Sequence, residues 1–262
     1  MRPRHDSWTK VMTRVPELTP DLRTSAFLFD VDGTLVDIAP TPREVHVPPT
    51  LRHALMRLVA ATDGAVALVS GRPISDLDRL FDPLRLTSIG GHGAEFRLLH
   101  GGEIEKCNTP TLGPELKRRL RGLAGSGVLA EDKGYAVALH YRLAPEKEEW
   151  VRESVAKICS EPWPVALEIL PGKAVVEIKA AGFSKGTAVR ELMKQPPFNE
   201  RTPIFIGDDT TDETVFAVMP DFAGHAFSVG RQVQGAENHF DCPADVREWV
   251  EHIAPAVERP AR

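Results

Sequence analysis

Short apolar runs that stop abruptly at polar residues set the pattern of this chain. Ala26-Phe27-Leu28-Phe29 runs into Asp30 with Gly33 close behind, Ala65 to Val69 ends in Ser70-Gly71-Arg72, and Pro203-Ile204-Phe205-Ile206 ends in Gly207-Asp208-Asp209. Continuous apolar stretches bounded by turn residues predict strands buried on both faces. Between the first two runs, Leu51, Ala54, Leu55, Leu58 and Val59 recur at helical spacing, with Arg52, His53 and Arg57 among them. That is the stripe of an amphipathic helix. Strand, helix, strand in this order implies a right-handed parallel crossover. Parallel sheets covered by helices place ligand sites beyond the carboxyl ends of their strands, so the three polar clusters are predicted to converge there.

The middle of the chain has a different texture. Tyr135 to Tyr141 and Ala174 to Ile178 read as strands, Pro114 to Leu123 and Lys147 to Ile158 as helices, with turns at Gly102, Gly134 and Pro171-Gly172. This predicts a smaller α+β unit inserted into the first domain. After Ala181 the chain returns to the core through a helix over Lys185 to Met193 and then the third strand. The expected fold class is therefore α/β, a doubly wound parallel sheet. Its core takes residues 23–97 and 181–262, the inserted unit residues 98–180, and an arm without assigned function residues 1–22.

Composition narrows the function classes. With 262 residues, 42% hydrophobic and 26% charged, the chain can build a sizeable core, which excludes a disordered or fibrous protein. No apolar run approaches the roughly 18 residues of a membrane span, and the first stretch lacks the apolar centre of a signal peptide. A cytoplasmic, monomeric protein without a membrane partner is expected. The balance of 32 Lys+Arg against 37 Asp+Glu, a net charge of -5, argues against nucleic acid and leaves room for a small anionic ligand. Cys107, Cys159 and Cys242 are far apart and lack CxxC spacing, so they are expected as reduced structural thiols.

The chemistry concentrates at the strand ends. Asp30 and Asp32 are two apart, so in extended chain their side chains share a face, and Gly33 lets the backbone turn beside them. Neighbouring carboxylates repel unless a cation compensates, and an oxygen-rich cluster of this kind suits Mg²⁺. Asp208, Asp209 and Asp212 add acids from another strand end. Asp208 and Asp212 face the same side if a helix begins at Thr210. A phosphoryl group bound there also needs donors and positive charge, for which Ser70 and Lys185 are the candidates.

In order along the chain, Asp30-Val31-Asp32-Gly33-Thr34, Ser70, Lys185 and Gly207-Asp208-Asp209 with Asp212 resemble the four motifs of the haloacid dehalogenase (HAD) superfamily of phosphohydrolases. The resemblance implies that Asp30 is a nucleophile forming an aspartyl-phosphate and that Asp32 is the acid and base. It also implies Mg²⁺ held by Asp30, the Asp32 main-chain carbonyl and Asp208, with Asp212 in support, and a cap of the second class inserted between Ser70 and Lys185.

Further stretches are similar to the trehalose-6-phosphate phosphatase family from about Ala26 to Gly230. They are Ser70-Gly71-Arg72, Gly91-His92-Gly93-Ala94-Glu95, Glu131-Asp132-Lys133 with His140-Tyr141-Arg142, Pro171-Gly172-Lys173 leading to Glu177, and Gly207 to Glu213. By this resemblance His92, Glu95, Glu131, Lys133, Lys173 and Glu177 contact the sugar of a phosphate ester. Mixed carboxylates and ammonium groups suit its many hydroxyls. Arg72 either contacts the substrate or clamps Asp76. The implied activity is hydrolysis of trehalose 6-phosphate supplied by a separate trehalose-phosphate synthase. The alternative is the same chemistry on another sugar phosphate such as sucrose 6-phosphate. A catalytically silent phosphosugar-binding domain is disfavoured, because Asp30, Asp32, Ser70, Lys185 and Asp208 are all present.

Overall fold

The structure, a computed structural model, describes residues 19–39, 44–107 and 109–255. Most of the expected N-terminal arm lies outside them. The chain opens with β1 (Ser25–Phe29), α1 (Pro49–Ala61), β2 (Val66–Val69), α2 (Ile74–Leu80), β3 (Thr87–Gly90), β4 (Glu95–Arg97) and β5 (Glu105–Lys106). A second group follows: α3 (Pro114–Arg121), β6 (Leu129–Asp132), β7 (Ala136–His140), α4 (Glu148–Cys159), β8 (Leu167–Gly172) and β9 (Val175–Ala180). The last group is α5 (Lys185–Leu192), β10 (Thr202–Gly207), α6 (Glu213–Phe216), β11 (His225–Val229), β12 (Asn238–Phe240) and α7 (Pro243–Ile253).

These strands form an eight-stranded sheet in the order β12-β11-β10-β1-β2-β3-β4-β5 and a four-stranded sheet in the order β6-β7-β9-β8. The large sheet is parallel from β12 to β3 and antiparallel at β4 and β5. Because β1 lies between β10 and β2, the three chain segments expected to converge leave the sheet side by side. Phe29 stands in register with both Ile206 and Leu68.

β1 serves two cores at once. Phe27 and Phe29 pack with Leu51, Leu55 and Leu58 of α1 and with Trp249 and Val250 of α7. Ala26 and Leu28 pack on the other side with Val189 and Leu192 of α5 and Phe205 of β10. Side chains alternate across a strand, so a continuous apolar run is what a sheet between two helical layers requires. Each such aliphatic or aromatic side chain contributes on the order of 1.5–3 kcal/mol by leaving water.

The four-stranded sheet is antiparallel. Its Val137, Leu139 and Ile178 pack against Leu116 and Leu120 of α3 and Val151 and Val155 of α4. Among the described residues α3 and α4 do not cover the opposite face, and the register decides what stands on it. Ala138 pairs with Glu131 of β6 on one side and Glu177 of β9 on the other. Two residues expected to act together thus form one row with only a methyl group between them.

Three expectations change. β5 belongs to the large sheet, so the smaller unit begins later than residue 98. Thr210 starts a single 3-10 turn to Asp212 that leads into the short α6, not a regular helix. Beyond Gly230, where the sequence pattern predicts no element, β12 and α7 complete the sheet and one core.

Candidate active site

Asp30 is the first residue beyond β1, its backbone N–H donating to the Ile206 carbonyl at 2.9 Å. Opposite it, Lys185 opens α5. Ser184 caps that helix through a reciprocal exchange with Thr187, its Oγ accepting from the Thr187 N–H at 3.1 Å while Thr187 Oγ1 accepts from the Ser184 N–H at 2.9 Å. The cap fixes where the helix starts and so where the ammonium reaches. Lys185 Nζ donates to Asp30 Oδ1 at 2.7 Å and to Asp212 Oδ1 at 2.8 Å. Gly186 follows because a Cβ there would lie 2.1 Å from the Thr214 carbonyl oxygen, so α5 and α6 can meet only without one.

Asp212 is fully buried, and its second oxygen accepts from the N–H groups of Asp208 and Asp209, both at 3.0 Å. Asp208 sits against Gly33, which has φ +84° and whose Cβ would fall 2.2 Å from Asp208 Oδ2. An alanine there would meet both backbone strain and the carboxylate.

Carboxylate oxygens of Asp30, Asp208 and Asp212 all lie within 4.8 Å of one another. Burial first, then repulsion from Asp212, pushes the Asp30 carboxyl well above its usual range, although Lys185 pulls it down. Burial likewise raises Asp208 against the pull of Lys173. Burial would depress the Lys185 ammonium, but Asp212 and Asp30 outweigh it and hold its pKa far above the ordinary lysine value. One buried ammonium faces three clustered carboxylates, and Lys173 Nζ, from the other sheet, reaches Asp208 Oδ2 at 2.8 Å with its side chain 65% exposed. The cluster attracts whatever positive charge can reach it. The donor set fits a divalent cation.

One residue stands elsewhere than predicted, Glu95, and another, Asp32, meets a partner that spacing does not show. The Asp32 carboxylate does not join the acidic cluster. Arg72 holds it from both sides, Nε to Oδ2 at 2.5 Å and a terminal nitrogen to Oδ1 at 2.6 Å. Glu95 is not among the residues lining the cleft and accepts from the Ile74 N–H at 2.8 Å, satisfying an orphan donor at the start of α2. Its place at the head of β4, directly after the Gly91-His92-Gly93 turn, points it at the neighbouring helix.

One cleft, with a void of about 200 Å³, is lined by Asp30, Asp32, Ser70, Arg72, His92, Glu131, Lys133, Lys173, Glu177, Lys185 and Asp208. It unites the strand ends with the face of the smaller sheet away from α3 and α4. There Lys133 Nζ donates to Glu177 Oε2 at 2.6 Å, and His140 Nε2 lies 3.0 Å from Glu131 Oε2. Burial opposes ionisation of Glu177, but Lys133 and then His92 hold its carboxyl far below the usual range. The hydrogen bond from His140 lowers Glu131 as well. His92, at φ 55°, is pushed below the usual imidazole value by burial, against the pull of Glu177. Its Nε2 lies 3.4 Å from Glu177 Oε1, an ion-pair distance that makes no hydrogen bond. Glu177 Oε1 and, on the other side of the ring, His92 Nδ1 are buried polar atoms without a hydrogen-bond partner among the described residues.

Three further residues stand at the site without a role predicted from sequence. His140 and Arg142 line the cleft, and Tyr135 donates its hydroxyl to the Gly71 carbonyl at 2.9 Å, tying the smaller sheet to the Ser70 loop. Strand alternation from Ala138 places His140 on the face away from α3 and α4, a signal the sequence carries once the register is known. Tyr135 carries no such signal.

Comparison with known proteins gives the family and the fold. The family model described as trehalose-phosphatase matches residues 28–242. The chain belongs to the trehalose-phosphatase family. A relative within reach of this family assignment is the trehalose-6-phosphate phosphatase of Escherichia coli K12, 38% identical over 253 residues, covering 96% of this chain and 93% of that protein. Among solved structures, the C-terminal domain of Candida albicans trehalose-6-phosphate phosphatase superposes with a TM-score of 0.78 at 22% identity, covering 88% of this chain and 92% of that one. A phosphatase of the HAD superfamily from Bacteroides thetaiotaomicron gives 0.60 at 15% identity, covering 91% and 99%. The fold of this trehalose-phosphatase family member is thus the HAD-like α/β fold expected.

Proposed function

We propose that this chain is a Mg²⁺-dependent phosphatase that hydrolyses trehalose 6-phosphate to trehalose and phosphate. The observation that carries the reading is that the acidic cluster and the Glu131–Glu177 row face each other across one cleft. One side suits a phosphoryl group and the other a polyhydroxyl sugar. The buried unpartnered atoms of Glu177 and His92 support it, since a ligand with many hydroxyls supplies the hydrogen bonds they lack.

Asp30 attacks phosphorus through a carboxylate oxygen, and the bond from phosphorus to the sugar oxygen breaks. Asp32 gives its proton to that oxygen, so the sugar leaves as an alcohol. Asp32, now a carboxylate, takes a proton from water, whose oxygen bonds to phosphorus as the bond to Asp30 breaks. Phosphate leaves and both carboxyl groups return to their starting states. Lys185 and the Ser70 hydroxyl hold the phosphoryl oxygens. Asp30, Asp208 and the Asp32 main-chain carbonyl would hold Mg²⁺, with Asp212 in support, and the ion would offset negative charge on the phosphoryl group.

The four-stranded sheet with α3 and α4 acts as a cap. His92, Glu131, Lys133, Lys173 and Glu177 choose the sugar, and closure over the cleft excludes water from the first step. A separate trehalose-phosphate synthase supplies the ester. Phosphate release from trehalose 6-phosphate, sucrose 6-phosphate, glucose 6-phosphate and mannose 6-phosphate, each with Mg²⁺ and with EDTA, tests the reading. Metal-dependent preference for the trehalose ester is expected. Preference for another ester would keep the Asp30 chemistry and overturn the specificity, and no release from any ester would overturn both.

A further inference from the structure

We infer that Arg72 is a positioning residue for the proton transfer, acting through Asp32 and not through the sugar. The inference rests on the acid and base role given to Asp32 above. Asp32 lies past the end of β1, and its side chain is 36% exposed. A carboxylate so placed has several rotamers open to it. The guanidinium of Arg72, itself only 13% exposed, engages both of its oxygens at 2.5 and 2.6 Å. This two-pronged contact fixes the plane of the carboxylate as well as its place, which a point charge cannot do.

Arg72 is itself held at fixed points. Its N–H donates to Ser70 Oγ at 3.1 Å, and its carbonyl accepts from the Gly91 N–H at 2.9 Å. Two residues on, the Ile74 N–H is anchored by Glu95 at 2.8 Å. The loop that offers Ser70 to the phosphoryl group therefore also sets the Asp32 carboxylate, and Glu95 serves the site from outside the cleft. Nε and a terminal nitrogen of Arg72 engage both oxygens of the Asp32 carboxylate; when Asp32 carries its proton, the protonated oxygen turns its O–H to the leaving oxygen while the other still accepts from the guanidinium, so the fork aims the transfer. A misplacement of about 1 Å in a group of this kind costs on the order of 10²-fold in rate.

The test separates proton delivery from sugar binding by using esters that carry no sugar. kcat/KM is measured for a series of aryl phosphates from p-nitrophenyl to phenyl phosphate, whose leaving oxygens need protonation increasingly, on wild type, Arg72→Lys, Arg72→Ala and Asp32→Asn. A trehalose 6-phosphate analogue with sulfur at the bridging position, whose thiolate leaves without a proton, is run beside the oxygen ester. Arg72→Ala should lose about 10- to 100-fold more on phenyl than on p-nitrophenyl phosphate. Its defect on the oxygen ester of trehalose should shrink on the sulfur ester. Arg72→Lys, which keeps the charge without the fork, should show the same trend at smaller size, with kcat affected more than KM. Combining Arg72→Ala with Asp32→Asn should add little to Asp32→Asn alone.

An Arg72→Ala variant with the wild-type dependence on leaving group, and equal losses on the oxygen and sulfur esters, would overturn the inference and return Arg72 to sugar binding. An Asp32→Asn variant with unchanged dependence would overturn the acid role of Asp32 itself, a separate failure visible in the same data. Should the enzyme turn over no aryl phosphate, the oxygen and sulfur esters decide alone. Circular dichroism and thermal melts of Arg72→Lys exclude misfolding as the cause.

Discussion

The two walls of the cleft are built on opposite plans. At the ends of β1 and β10, charges are buried and locked. Lys185 and Asp212 are 3% and 0% exposed, and every oxygen of Asp212 has a donor. On the face of the smaller sheet away from α3 and α4, charges are paired across strands but incompletely. Glu177 keeps an oxygen without a hydrogen bond, and Lys173 reaches across to Asp208 from a largely exposed position. Fixed pairs make a rigid centre whose groups are aimed before anything binds, as bond-making demands. Incompletely satisfied groups make a surface whose remaining hydrogen bonds wait for a ligand, as recognition demands. Damage to the first wall should therefore be general, and damage to the second selective.

The comparison can be broken most decisively at Asp30. Asp30→Asn should lower phosphate release by on the order of 10⁴-fold or more on every ester alike. A loss confined to one sugar would show that the two walls do not divide chemistry from recognition. Lys185→Met tests the rigidity of the same wall. It leaves Asp30 and Asp212 buried without their shared cation, so urea unfolding should report a loss of about 3–5 kcal/mol. A change of a few tenths would mean that the pairing is not what holds the centre together.

On the other wall the effects should be smaller and should discriminate. Lys133→Met and Glu177→Gln should each reduce kcat/KM for trehalose 6-phosphate by about 10- to 100-fold and that for a small aryl phosphate by much less. Equal losses on both would erase the distinction.

The smallest effect should appear in pH dependence. Burial lowers His92 below its ordinary 6.5, so the unfolded chain binds that proton more readily, and its contribution to stability should fade as pH falls below about 6.5. Glu177, held far below 4.5 by Lys133 and His92 against its burial, adds a contribution present above 4.5 and lost as pH falls through its folded value. The difference in melting temperature between wild type and His92→Gln should therefore vary across pH 5 to 8, whereas a constant difference would remove His92 from this account. Taking the difference cancels the opposite contributions of Asp30 and Asp208, whose raised values favour the folded state only at low pH.

How much of this was legible in advance differs between the walls. Asp30, Ser70, Lys185 and Asp208 could be placed from sequence because each stands at a chain signal, an apolar run ending in a polar residue or a helix beginning after Ser184. The parallel-sheet rule then brings such ends together. Glu131, Lys133, Lys173 and Glu177 came only from family resemblance, since charged residues near strands and turns are commonplace. The place of Glu95 and the partner of Asp32 are not legible in sequence for one shared reason. Spacing says which face a side chain can take, but a guanidinium or an open helix N-terminus from another segment decides which neighbour it meets.

The sequence by itself determined the three central strands buried on both faces, the helix between the first two, and the three polar clusters at the strand ends. Those features follow from local periodicity and from the cost of leaving backbone polar groups unpaired. The tertiary structure alone decided that Ala138 aligns Glu131 with Glu177, that Lys173 reaches Asp208, and that Arg72 closes on Asp32. These depend on strand register and on contacts between distant segments, and a shift of one residue would have turned the same side chains into a different core.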